Sequence, residues 1–334
     1  MSLSRRHFIA ASAGLLAVPK AWAQPQDQPM QAYNIEMEPR SIGDDDARGD
    51  GWAFGLPPGI GTAAWPLDRN NGYPLQHGFT IRLPEDYRVH GPEIVALSFF
   101  ATAFDHNDGG PMIAPAVHRM LKQDNPARPE DPELLPFWRA RQSEHSRLFR
   151  MRDILDLDYA VILLDEQEFS GTFTTPPDLR GNRHLSAVAP PGWLTSGGGK
   201  AFWEASYFGG PVPPTETYIY RELGGIPEAG QAFNRAIRIS PRAIDPNAGI
   251  APKDEWLGQK SSYQQPYDTE KDFQPQKWTK GHLYNHIGGT MRPAQAVPDF
   301  SPYYIEFEES LGGYNFGSGN AQLDFKDMKF DWAQ

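Results

Sequence analysis

His282-Leu283-Tyr284-Asn285-His286 sets two imidazoles four residues apart. On one face of a helix such a pair could hold zinc. A metalloprotease places glutamate directly after the first histidine, and here that position is Leu283. Gly288-Gly289 follows at once and disfavours a helix, so turn histidines are the competing reading of His282 and His286. Glu306 and Glu308 stand two apart in an alternating run, which places both carboxyls on one strand face about 7 Å from each other. That spacing suits general acid/base work on a glycoside, with His286 as a further candidate; a solvated strand face is the alternative. Asp105 to Gly110 opens like a calcium loop, but Ala116 stands where the closing glutamate belongs. Thr195 to Lys200 imitates a phosphate loop, with Leu194 and Ala201 at positions that should be Gly and Ser/Thr. No serine has the Gly-x-Ser-x-Gly frame. The absence of cysteine removes thiol catalysis, thiolate metal sites and disulfides.

Two further groups suit binding rather than catalysis. Trp193, Trp203, Tyr207 and Phe208 crowd around the glycine run in segment 190–214, and aromatic-rich loops stack on sugars and peptides. Arg139, Arg141, Arg147, Arg150 and Arg152 form a local basic surplus in an acidic chain. They offer a docking face for an acidic partner or anionic ligand, with Arg139 and Arg147 as the candidates; a solvated face is the alternative.

These residues must be positioned by β-structure. Strand signals run at Gly78–Leu83, Glu93–Ala101, Asp158–Leu164, Glu216–Arg221, Asn234–Ile239, Tyr303–Glu308, Ala321–Phe325 and Met328–Trp332. Val161-Ile162-Leu163-Leu164 is continuously apolar and predicts a central strand covered on both faces. Tyr303–Glu308 alternates and predicts one wet face. A long helix is expected over Asp131–Arg152, capped by Asp131-Pro132 or starting instead at Pro136, and a short one over Pro115–Leu121. The expectation is an α+β class: a β-rich single domain over 49–334 with one long and one short helix inserted.

Residues 1–23 read as an address. Arg5-Arg6 precedes a mildly apolar run from Ile9 to Val18, and Ala21-Trp22-Ala23 supplies a cleavage site. This predicts a twin-arginine signal, a periplasmic protein exported folded, and no membrane insertion after cleavage. Residues 24–48 read as a polar linker ending in Asp44-Asp45-Asp46. The net charge of −11 over 334 residues argues against nucleic acid and anionic membranes as partners. No motif calls for a cofactor. The leading expectation is an exported, cysteine-free, non-catalytic binding protein for a protein partner or envelope component. The alternative is a periplasmic hydrolase or lyase acting on an envelope polymer.

Phe54-Gly55-Leu56-Pro57, Trp65-Pro66, Gly72-Tyr73-Pro74-Leu75 and Phe79–Leu83 occur in this order near the start. His286–Gly289, Gln295, Tyr303–Glu309, Phe316–Gly319 and Phe330–Gln334 close the chain. Together they resemble the YwqG-like family of bacterial proteins. The resemblance covers both ends and leaves 107–277 unmatched. It departs at Gly317-Ser318, where the family commonly has Gly-Asp, and at Phe79-Thr80, where it often has Ala-Gln or Leu-Gln. It implies a β-rich α+β fold of two related halves and implies no reaction.

Overall fold

The structure, a computed structural model, describes residues 30–107, 109–196, 234–253, 262–268, 271 and 273–334. In chain order its strands begin with β1 (Tyr33–Met37), β2 (Gly51–Phe54), β3 (Gln76–Arg82), β4 (Ile94–Ala101), β5 (Leu148–Arg152), β6 (Asp158–Asp165) and β7 (Asn234–Pro241). A small hairpin of β8 (Tyr267–Asp268) and β9 (Gln274–Pro275) stands apart. The chain ends with β10 (His286–Ile287), β11 (Tyr304–Glu308), β12 (Asn320–Asp324) and β13 (Lys329–Ala333). The helices are short: α1 (Pro115–Lys122), α2 (Leu135–Gln142), α3 (Glu166–Phe169) and α4 (Trp193–Ser196).

Eleven strands form one antiparallel sheet in the order β13-β12-β11-β10-β1-β7-β2-β3-β4-β6-β5. The sheet curls until its edges nearly meet. Phe330 of β13 stacks on Tyr159 of β6 with ring centroids 4.0 Å apart, and the Trp332 indole donates to Asp153 at the end of β5, 2.7 Å away. Inside lie Phe79, Phe99, Tyr159, Val161, Leu163, Ile305, Phe307, Tyr314 and Phe316. Trp52, Trp65, Phe100, Ile162, Leu164 and Trp193 pack on the outside of β2–β3–β4–β6. The apolar run in β6 follows from this placement: its odd positions face the interior and its even positions this outer cluster. Gly78 marks one close approach, since a Cβ there would lie 1.2 Å from the Tyr314 hydroxyl. Trp332→Phe keeps an aromatic ring, smaller than the indole, and deletes the seam hydrogen bond. It is expected to lower stability by about 1 kcal/mol in urea denaturation; no change would mean that the seam closes on ring packing alone.

Two expectations are corrected. The stretch Asp131–Arg152 is not one long helix. Asp131 caps a single 3-10 turn at Pro132–Leu134, α2 ends at Gln142, and the chain reverses into β5 against β6. Glu144 sits at the reversal and pairs with both Arg141 and Arg150, so tertiary pairing overrides the helix-forming character of Leu148–Arg152. Residues 24–48 are not merely a linker either. Tyr33–Met37 is a central strand paired with β10 on one side and β7 on the other. Residues 1–29, the expected address, lie outside the described residues, as does the strand expected at Glu216–Arg221. Among the described residues no helix is long and apolar enough to cross a membrane.

Candidate functional site

Alternation dictates what faces outward on the β10–β13 side. Ile287, Ile305, Phe307 and Leu323 fill the interior, so His286, Tyr304, Glu306 and Gln322 must project from the opposite face. The register then brings polar residues into one row. Asn34 of β1 stands opposite His286, His286 opposite Glu306, Glu306 opposite Gln322, and Gln322 opposite Asp331.

The row is roofed by the segment after Gly288-Gly289. Both glycines have positive φ, 58° and 79°, and a Cβ at Gly289 would lie 2.4 Å from Asp245 Oδ2. The Arg292 backbone N–H donates to both Glu306 oxygens, at 3.1 and 2.7 Å. Asn320 donates to Glu306 at 2.7 Å and to the Arg292 carbonyl at 2.8 Å, while accepting from the Ala294 N–H. Glu306 and His286 are fully buried.

The His286 Nδ1 lies 2.8 Å from the Tyr284 carbonyl, so it carries the hydrogen in the tautomer this network assigns. Nε2 then presents a lone pair to Glu306 Oε2 at 3.4 Å, a close approach without hydrogen-bond alignment. Burial, followed by the Arg242 charge, holds the imidazole well below its ordinary value. Burial pushes the Glu306 carboxyl up to about 8, against the lowering effect of the Arg292 N–H. Both directions describe one state at neutral pH: a neutral imidazole facing a protonated carboxyl.

Behind this pair, Arg242 and Asp245 form a buried ion pair at 3.0 Å. Arg242 also donates to Asn34 and to the Leu283 carbonyl. Asp245 accepts from the Thr290 N–H and hydroxyl. Strand β1, the end of β7 and the segment around Gly289 are thereby locked together.

In front of the roof lies an open cavity of about 640 Å³, lined by Pro275, Gln276, Lys277, Thr279, Lys280 and Arg292. The Arg292 guanidinium lies 5.5 Å over the half-exposed Tyr284 ring; its Nη2 donates to the Thr279 carbonyl at 3.5 Å, and its buried Nε has no partner among the described residues. Most arginines here meet their own acids, but no ion pair among the described residues engages Lys277, Lys280 or Arg292.

The expected site residues fall apart. Trp193 is buried and stacks on Trp65 with centroids 5.8 Å apart, which makes it a core residue and removes it as a ligand platform. Trp203, Tyr207 and Phe208 lie outside the described residues. Arg147 is occupied by Asp165, Glu168 and the Leu163 carbonyl, so it is not available as a docking cation. Arg139 is exposed on α2. Glu306 and Glu308 do share a face, but Glu306 is sealed beneath the roof while Glu308 is half-buried. His282 binds the Ile244 carbonyl through Nε2 and lies 3.8 Å from Asp245 through Nδ1. His282 and His286 share no helix, and no group of three or more His, Asp or Glu among the described residues is placed to hold a metal.

Comparison of the chain with protein-family models, with curated proteins and with solved structures finds no match. Sequence reasoning missed Arg292, Lys277, Lys280, Asn320 and Gln322. The signal present was slight: a Gly-Gly pair after a histidine, then Arg292, within a stretch of isolated lysines.

Proposed function

We propose that this protein is an exported, non-catalytic binding protein that seats its ligand, a partner or envelope component, in the cavity before Arg292. One observation carries the reading: three cations that form no ion pair among the described residues border an open cavity whose wall is pinned to the sheet through Glu306 and Asn320. The export half rests on Arg5-Arg6 and Ala21-Trp22-Ala23. YwqG-like membership and two related halves belong to the same proposal. The sheet order, with five strands on either side of β7, fits a two-halved body.

The hydrolase alternative has a specific observation of its own, the protonated carboxyl of Glu306 facing His286. Both side chains are sealed from solvent, which favours a structural role for the pair.

The test is expression of the full chain with its leader, fractionation, and native mass spectrometry of the periplasmic protein. The expected result is a species cleaved after Ala23 that carries a non-covalent ligand lost in Arg292→Gln. Cytoplasmic retention with an intact leader would overturn the export assignment. Turnover of envelope polymer that vanishes in Glu306→Gln would replace binding with catalysis.

A further inference from the structure

We infer that the ligand of this cavity is a small molecule carrying a phosphoryl group, held by Arg292 with Lys277 and Lys280. The inference rests on the binding reading and names its chemistry. Arg292 is held from behind by its own N–H on Glu306 and its carbonyl on Asn320, so its guanidinium stands over Tyr284 on a fixed backbone. Among the described residues the guanidinium donates only to the Thr279 carbonyl, through Nη2 at 3.5 Å, and no acid pairs with it.

A guanidinium fork matches two oxygens of one tetrahedral or planar anion, while ammonium groups act as point charges. Three cations around one opening suit a dianionic phosphoryl group better than a single carboxylate. Gln276 and Thr279 add neutral polar groups to the wall, and Pro275 adds apolar surface. The open cavity leaves room for the phosphoryl group to be part of a larger molecule. In a chain of net charge −11 the cavity is a local reversal of sign, which draws an anion to this opening and repels it elsewhere.

The same chemistry could come from a soluble phosphate ester or from a lipid phosphate at a membrane surface. The experiment titrates the full-length protein with inorganic phosphate, with glycerol phosphate and with vesicles containing phosphatidic acid, using acetate as the comparison anion. Phosphate and glycerol phosphate should bind more tightly than acetate. Binding should weaken about tenfold or more in Arg292→Gln and in the Lys277→Gln/Lys280→Gln double variant. Lys326→Gln, which lies over Tyr303 away from the cavity, should bind as the native chain does. Vesicle binding lost in the same variants would place the phosphoryl group on a lipid; vesicle binding absent beside ester binding would place it on a soluble ligand.

The double variant changes only exposed side chains, so it keeps the test open should Arg292→Gln unfold. Phosphate bound no better than acetate, or bound equally by the variants, would overturn the inference. An uncharged ligand found in the cavity by native mass spectrometry would overturn it too, while leaving the binding reading intact.

Discussion

Glu306→Gln should match the native chain in stability near pH 4.5, exceed it by about 2 kcal/mol at pH 6 and by about 5 kcal/mol above pH 8. The native carboxyl keeps its proton up to about 8, whereas an unfolded glutamate loses it near 4.5. Between these values the folded state binds more protons than the unfolded state, so stability falls as pH rises. His286 acts in the opposite sense. Its folded pKa lies well below 6.5, so its contribution grows as pH rises and is complete once the unfolded imidazole is neutral. The two effects oppose each other below about pH 6.5, and above it the Glu306 loss stands alone, giving roughly 1.4 kcal/mol for each pH unit up to 8. Glutamine copies the protonated carboxyl. Its amide can face His286 Nε2 while its oxygen keeps the Asn320 donor and the longer, 3.1 Å contact with the Arg292 N–H. Denaturant titrations of both proteins from pH 5 to 9 read the difference. Parallel curves would show that Glu306 gives up its proton at its ordinary value in the folded chain.

Arg242→Met should cost about 3–5 kcal/mol, because it leaves Asp245 buried without its counter-charge. The loss spreads beyond the pair. Arg242 is also the donor to Asn34 and to the Leu283 carbonyl, so its removal frees three acceptors on three segments. Arg242→Met combined with Asp245→Asn should cost clearly less than Arg242→Met alone, since no unpaired charge then remains. Equilibrium unfolding of both variants decides the matter. A cost below about 1 kcal/mol for the single variant would mean that water reaches Asp245 and that the pair is not sealed.

The strands were legible where burial itself has a pattern. Val161–Leu164 is apolar throughout because both faces of β6 are covered, and the sequence reading and the structure agree there. Ile94–Ala101 and Asn320–Asp324 were likewise visible from composition. Tyr33–Met37 was not, because Asn34 and Glu36 make it look polar, and its strand identity comes from partners far along the chain. The same distance hid the site. Alternation at Tyr303–Glu308 foretold a wet face for Glu306, yet the roof from Thr290 to Ala294 covers it, and that roof has no period to read. Arg147 looked like a docking cation because its acids, Asp165 and Glu168, lie some distance along the sequence and become neighbours only through β6 and α3. Trp193 carried the composition of a ligand platform and the burial of a core residue, a distinction made only by its contact with Trp65.

The middle position of β1 bears on synthesis at the ribosome. One neighbour, β7, is made on the order of two hundred residues after it and the other, β10, later still, so this early segment stays unpaired through most of translation. Fragments that stop short of β10 would leave one of its flanks bare and sticky. Assembly is thus an event of the whole polypeptide, and any passenger attached ahead of Tyr33 leaves from the middle of the sheet rather than its rim.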